Sequence, residues 1–142
     1  MSSSVKLFRG LLIASIAIGM LGGLIDAQFV ELIPEPVLKA IKGLPQPSDT
    51  TIVLSSLLAF ITLGGIVGSI VGLFQFRPWS RELAVAMTLL QLLFYPLDGL
   101  WVKSGWSALL LELSSTLWGA VLAISYVSSI SALFEQRGSI ER

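Results

Sequence analysis

The sequence contains no cysteine and no histidine. Their absence excludes disulfides, thiol redox chemistry, Cys/His zinc sites, c-type haem attachment and the axial histidine of most membrane haem proteins. Charged residues are scarce, at 13% against roughly 25% in soluble domains, and no lysine and arginine cluster gives the electrostatic footprint of a nucleic-acid binder. We therefore expect no cofactor, no metal ion and no nucleic-acid partner.

Hydrophobic residues make up 54% of the 142-residue chain and fall in four long stretches. A helix that crosses roughly 30 Å of hydrocarbon needs about 20 mostly apolar residues. The sequence therefore predicts an all-α fold, a four-helix transmembrane bundle that forms a single domain over residues 1–142, with the lipid bilayer as its first partner. The predicted spans are Leu7–Ile25, Thr51–Phe76, Leu83 to about Trp101, and about Trp106 to Phe134.

The four predicted spans differ in how well they match the pattern of a membrane-spanning helix. The third is the weakest, because Gln91, Pro96 and Asp98 interrupt it. The fourth is about 43 Å long as one helix, so it either tilts or projects past the lipid on the cytoplasmic side. The first could be a cleaved signal peptide ending at Ala27, but the bulky Ile25 at the minus-three position disfavours cleavage, and we expect a retained helix.

The distribution of basic residues predicts the orientation, because cytoplasmic loops are enriched in lysine and arginine. An even number of spans places both termini and the turn at 77–82 on one side. All arginines lie on that side, which predicts a protein of the bacterial cytoplasmic (inner) membrane with both termini in the cytoplasm. The basic residues on this side are Lys6, Arg9, Arg77, Arg81, Arg137 and Arg142, and those on the other are Lys39, Lys42 and Lys103.

Arginine and tryptophan residues near the ends of the predicted spans favour anchoring at the membrane interface. In the turn between the second and third spans, both arginines can reach lipid phosphate and Pro78 can open the third helix. This turn could be a docking site or a clamp for anionic lipids, although an ordinary positive-inside hairpin explains it more simply. The predicted interface anchors are Arg77, Trp79, Arg81, Trp101 and Trp106.

The loop at 26–50 is predicted to lie outside the cell and to contain a short helix between Pro36 and Gly43. Such a helix would be amphipathic and would rest on the outer membrane interface. A lid over a cavity and a docking surface for an external partner are the alternatives. Its apolar face would consist of Val37, Leu38, Ile41 and Leu44.

Small residues recur at every fourth position in three of the predicted spans, a pattern resembling a glycine zipper. Such stripes let helix backbones approach closely where lipid offers no hydrophobic driving force. Packing within the bundle is the simpler interpretation, and contacts with other subunits or copies are the alternative. The third span lacks such a stripe, so we expect it to lie further out. The stripes are Ser15, Gly19 and Gly23; Gly64, Gly68 and Gly72; and Ser115, Gly119 and Ala123.

Asp98 and Glu112 are the two carboxylates predicted to lie at membrane depth, where ionisable groups are functional candidates. If the chain reverses near Ser104, they come close together, with Gln91 and Lys103 nearby. These four residues are a candidate ion or proton site. The simpler alternative is that both carboxylates lie at the outer interface and that Lys103 forms an ion pair with one of them.

The sequence favours a non-catalytic membrane protein, either an accessory or structural subunit of a membrane complex or a self-assembling helical bundle. The alternative is an oligomeric channel or transporter that uses Asp98 and Glu112 in the ion or proton path. An enzyme ranks last, because two carboxylates without a nucleophile, a metal-ligand set or an oxyanion device do not specify a reaction.

Overall fold

A computed structural model describes residues 3–28, 34–36, 39, 43, 48–94, 103–127 and 129–140. These ranges contain no strand, which confirms the all-α fold class. The helices that they hold in full are α1 (Ser3–Gln28), α2 (Asp49–Phe74), α3 (Pro78–Phe94), α4 (Gly105–Val127) and α5 (Ser131–Ile140).

Three helical segments are long and apolar enough to cross a membrane: Ser3–Ile25 within α1, Asp49–Phe74 and Gly105–Val127. Helix α3 has 17 residues and a length of about 25 Å, which is less than the roughly 30 Å of a hydrocarbon layer. The C-terminal part of the predicted third span, 95–101, lies outside the described residues. The described residues therefore contain three candidate membrane-spanning helices, and a fourth span stays a prediction.

Polar residues and a proline set the starts of three helices. Ser48 caps α2, since its hydroxyl accepts a hydrogen bond from the Thr51 amide at 3.3 Å. Ser104 caps α4 in the same way, with the Ser107 amide 3.2 Å from its hydroxyl. Pro78 is the first residue of α3, where its missing N–H costs no helical hydrogen bond.

Helix α2 ends in a tight turn with Phe76 in the left-handed backbone region, at φ 54°. The Arg77 amide donates to the Gly72 carbonyl at 2.9 Å, and the Phe76 amide donates to the Leu73 carbonyl at 3.1 Å. This pair of bonds is the Schellman arrangement, in which glycine normally occupies the left-handed position. A phenylalanine there costs about 1–2 kcal/mol, so contacts of its ring must hold it in place.

The helices form two pairs that meet at one end. Helix α1 packs along α4, and α2 packs along α3. Smaller contacts join α3 to α4 and α5, whereas among the helices given above α2 has extensive contacts with α3 alone. The expectation that the third hydrophobic segment lies further out is therefore wrong, and α2 is the outlying helix. The reason is that small side chains on α3, Ser80 and Ala84, are fully buried and allow close approach.

The sequence predicts that the fourth hydrophobic segment is one helix that continues to Phe134, and this prediction is wrong. Helix α4 ends at Val127, and α5 begins at Ser131. Two hydrogen bonds explain the end of α4: the Ser125 hydroxyl donates to the Leu122 carbonyl at 2.7 Å, and Arg81 donates to the Ser125 carbonyl at 3.1 Å. Arg81 thus satisfies a carbonyl that would otherwise need the next helical turn.

The buried core lies at the end of the molecule where both helix pairs and α5 meet. Its members come from the beginning of α1, the end of α2, the beginning of α3, the end of α4, the turn before α5, and α5 itself. They are Phe8, Leu12, Leu73, Ala84, Val121, Ile130 and Phe134. Four of the described basic residues, Lys6, Arg9, Arg77 and Arg81, belong to the elements that meet here, and we call this part of the molecule the basic end.

The predicted external helix is described only in part. Glu35, Pro36 and Lys39 are helical and Gly43 lies in a turn. Lys39 lies 3.6 Å from the Glu35 carboxylate, one helical turn away, and both side chains are exposed. The predicted apolar face, Val37, Leu38, Ile41 and Leu44, lies outside the described residues.

Candidate functional site

Three phenylalanine rings form the centre of the basic end. Phe8 comes from α1, Phe76 from the α2–α3 turn and Phe134 from α5. The ring centroids are 5.7 Å apart for Phe8 and Phe76, 5.3 Å for Phe76 and Phe134, and 6.3 Å for Phe8 and Phe134. Pairs at these distances, tilted or edge to face, stabilise one another beyond the area that they bury. The cluster explains how Phe76 is held in its costly backbone conformation.

Arg9 joins α1 to the end of α2. Its guanidinium lies 5.4 Å from the centroid of the Phe76 ring. Its Nη2 donates to the Phe74 carbonyl at 3.1 Å. Since Phe74 is the last residue of α2, its carbonyl has no partner within the helix, and the arginine provides one.

Arg81 joins α3 to the junction of α4 and α5. Its guanidinium lies 5.0 Å from the Tyr126 ring centroid and 4.9 Å from that of Phe134, while Nη1 donates to the Ser125 carbonyl. Its Nε is buried and has no hydrogen-bond partner among the described residues. The sequence predicts that Arg81 is an anchor at the lipid interface, whereas in the structure its guanidinium lies against aromatic rings of the same chain.

Replacing Arg81 with methionine is expected to lower the free energy of unfolding by about 2 kcal/mol, because two cation–π contacts and a charge-assisted hydrogen bond are lost. Lys6→Gln is the control, since it removes one positive charge from an exposed residue of the same end. Unfolding in detergent, followed by circular dichroism, measures the difference. Equal stability of the two variants would show that Arg81 does not hold the helices together.

The other predicted interface anchors lie near helix ends. Arg77 donates from Nε to the Gln75 side-chain oxygen at 3.0 Å. Trp79, in the first turn of α3, is 43% exposed, and Trp106, in the first turn of α4, is 63% exposed. These positions suit headgroup contacts, and the anchoring role itself stays a prediction. Trp101 lies outside the described residues.

The candidate ion or proton site is only partly described. Asp98 lies outside the described residues. Gln91 and Glu112 are exposed and Lys103 is half-buried. No hydrogen bond or ion pair links these three to one another in the part of the chain that the structure describes, and no group of three or more acidic residues there could hold a metal ion. Among the described residues, the hypothesis of an ion path depends on Glu112.

Helices α1 and α4 pack through small polar residues. The Ser15 hydroxyl donates to the Ser114 carbonyl at 3.1 Å, and the Ser114 hydroxyl donates to the Ser15 carbonyl at 2.8 Å. The Ser107 hydroxyl donates to the Gly22 carbonyl at 2.8 Å. A Cβ atom added to Gly19 would lie 2.7 Å from the Ser114 hydroxyl oxygen. The two backbones are therefore as close as small residues permit.

Helices α2 and α3 are in similarly close contact. A Cβ atom on Gly72 would lie 2.5 Å from the Cβ of Ser80, and one on Gly65 would clash with Met87. A Cβ atom on Gly68 would have ordinary contact with Leu83, at 3.7 Å. The predicted stripe residues Gly68 and Gly72 thus face α3, while a Cβ atom on Gly64 would meet open space.

The third predicted stripe is on an uncovered face of α4. Ser115, Gly119 and Ala123 are exposed, and a Cβ atom on Gly119 would have no neighbour within 4 Å. The same is true of a Cβ atom on Gly23 in α1. Glu112 and Thr116 share this side of α4 and are also exposed. We call Glu112, Ser115, Thr116, Gly119 and Ala123 the outer α4 face.

Several contacts between helices were not predicted from the sequence. Trp118 on α4 donates from Nε1 to the Thr88 hydroxyl on α3 at 3.0 Å, which links the two helix pairs. Ser80, Ala84 and Thr88 repeat at every fourth position of α3, so the spacing rule could have found this stripe if serine and threonine had been counted there. The remaining missed contact residues are Gly22, Gly65, Ser107 and Ser114.

The described residues thus define a class, an all-helical protein with three helices able to cross a membrane. Comparison with protein-family models, with curated proteins and with solved structures found no match to this chain. Its function is therefore inferred from its own residues.

Proposed function

We propose that this chain is a non-catalytic integral protein of the bacterial cytoplasmic membrane that assembles with other membrane helices. It would serve either as an accessory or structural subunit of a membrane complex or as a self-assembling bundle. Four spans, with both termini in the cytoplasm, are part of the proposal. The aromatic and arginine cluster then lies at the cytoplasmic interface, where arginine is enriched.

The outlying helix α2 supports a lipid environment. Its outer half is exposed on nearly all sides, and Phe60 and Val53 are 75% and 68% exposed. In water such a helix would be a large apolar patch and would favour association or aggregation. In a bilayer the same side chains face hydrocarbon, so their exposure carries no hydrophobic penalty.

The observation that carries the proposal of assembly is the outer α4 face. Within the protein, helix α4 uses Ser107 and Val121, which are buried, and Ser114, which exchanges hydrogen bonds with Ser15. Its small residues at 115, 119 and 123 lie on the other side and remain uncovered. Lipid-facing positions gain nothing from small residues, whereas helix interfaces in membranes are enriched in them because they permit close backbone contact.

The assembly state of the Gly119→Leu variant tests the proposal. A leucine there has room in the isolated chain but would separate α4 from a helix packed on this face. We expect the wild-type protein to form a larger assembly and the variant to lose it while keeping its fold.

The proposed topology predicts which exposed positions a membrane-impermeant thiol reagent reaches in intact cells. Cysteine at Thr50, in the first turn of α2, should react from outside, and cysteine at Glu82 on α3 should react only after permeabilisation. Ser80 is unsuitable, because it is fully buried. The opposite labelling pattern would invert the orientation, and labelling of both from outside would mean that α2 does not cross the membrane.

A further inference from the structure

Glu112 is an ionisable residue well inside a helix that can cross the membrane. It lies seven residues after Gly105, the first residue of α4, which is about 10 Å along the helix axis. When α4 spans roughly 30 Å of hydrocarbon, the backbone at this position is within the apolar layer, nearer to the headgroups at the N-terminal end of α4 than to those at the other end. Ionisable groups at such positions usually face the interior of a bundle or a polar partner.

The described part of the chain gives the Glu112 carboxyl no partner. The side chain is exposed, and no basic group lies within ion-pair distance among the described residues. The hydroxyls of Ser115 and Thr116 both donate to the Glu112 backbone carbonyl at 2.9 Å, so their protons are not directed at the carboxyl. Covering this face with an apolar helix would therefore bury an uncompensated carboxyl.

Charge complementarity distinguishes the helices that could cover this face. A partner with a lysine or arginine opposite Glu112 forms an ion pair in a medium of low dielectric constant, where such pairing is strong. A second copy of this chain places its own Glu112 near the first, and like charges oppose that contact. The small residues at 115, 119 and 123 bring either helix close, so the carboxyl decides which one binds.

We propose that the outer α4 face binds a transmembrane helix of another protein that carries a lysine or arginine at the depth of Glu112. This inference rests on the proposed function, because it names the partner of an assembly formed through the same face. Gly119 provides the close approach, and Glu112, two helical turns away, selects the partner and fixes its register.

Synthetic single-span helices test the preference directly. The first peptide is a leucine and alanine helix with a small-residue stripe and one lysine on the same face, seven positions from its central glycine. The second carries norleucine in place of that lysine, and is otherwise identical. Each is labelled with an acceptor fluorophore and mixed with donor-labelled protein in phosphatidylcholine vesicles, so that energy transfer reports binding.

We expect the lysine peptide to bind the wild-type protein at least tenfold more tightly than the norleucine peptide. The Glu112→Gln variant should reduce this preference to less than twofold, and Gly119→Leu should weaken binding of both peptides. Glu112 is exposed, so the glutamine variant is expected to keep its fold, which circular dichroism checks.

Equal binding of the two peptides, a preference that survives in Glu112→Gln, or no binding of either would overturn the proposal of a basic partner. Energy transfer between a donor-labelled and an acceptor-labelled copy of the protein distinguishes failure of this proposal from failure of the proposed function. If copies associate through Gly119 and the lysine peptide does not compete, a second copy covers the face, and assembly stands without a basic partner.

Discussion

The Phe134→Ala variant is expected to lose about 3–5 kcal/mol of its free energy of unfolding, the usual cost of removing a fully buried phenylalanine. The ring touches three elements at once: Phe8 of α1, Phe76 of the α2–α3 turn, and the guanidinium of Arg81 on α3. Its removal leaves a cavity where both helix pairs meet. It also removes the contacts that hold Phe76 in its left-handed conformation, so the turn should loosen as well.

Phe60→Ala is the matched control, because it deletes the same ring from a position of α2 that is 75% exposed. Thermal unfolding in detergent, followed by near-ultraviolet circular dichroism, compares the two variants with the wild type. We expect a large decrease in the unfolding temperature for Phe134→Ala and little change for Phe60→Ala. Similar decreases in both would mean that the aromatic cluster does not stabilise this end of the protein.

Leucine at Gly72 is expected to disrupt the fold, while leucine at Gly119 is not. At Gly72 even a Cβ atom would lie 2.5 Å from the Cβ of Ser80 and 3.1 Å from the Trp79 ring, so the two helix backbones must separate. Overpacking of this kind costs about 1–3 kcal/mol or more. At Gly119 the space is open, and replacing glycine in a helix gains up to about 1 kcal/mol in helix propensity.

The fraction of protein that remains folded after extraction in mild detergent measures this difference. We expect Gly72→Leu to aggregate or unfold and Gly119→Leu to be recovered as well as the wild type. Leucine tolerated at Gly72 would show that the α2–α3 contact is looser than the structure indicates. Unfolding of Gly119→Leu would show that the outer α4 face packs within the chain.

The positions of the apolar helices follow from the sequence, because an uninterrupted apolar run of 20 residues or more has few other stable arrangements. The starts at Ser48, Pro78 and Ser104 follow from local chemistry. The end of α4 does not, since it depends on a hydrogen bond from Arg81, 44 positions away in the chain. The inward orientation of Arg81 has the same cause, because the rings that receive it come from α4 and α5.

The spacing of small residues correctly predicts which helices pack closely, but it can assign the contact to the wrong face of a helix. In each helix the contact residue has a small neighbour: Gly22 beside Gly23, Gly65 beside Gly64, and Ser114 beside Ser115. Adjacent residues lie about 100° apart around a helix, so each pair offers two faces, and the pattern cannot tell which of them meets the next helix. For Ser15, Gly19, Gly68 and Gly72 the spacing and the structure agree.

The mass of the native assembly tests the central claim most directly, that this membrane protein assembles through the outer α4 face. The chain has a mass of 15.3 kDa, so a monomer and any complex are readily separated by native mass spectrometry after extraction from the membrane. We predict that wild type is found in a larger assembly and that folded Gly119→Leu is found at 15.3 kDa. A monomeric wild type, or a Gly119→Leu assembly of unchanged mass, would contradict it.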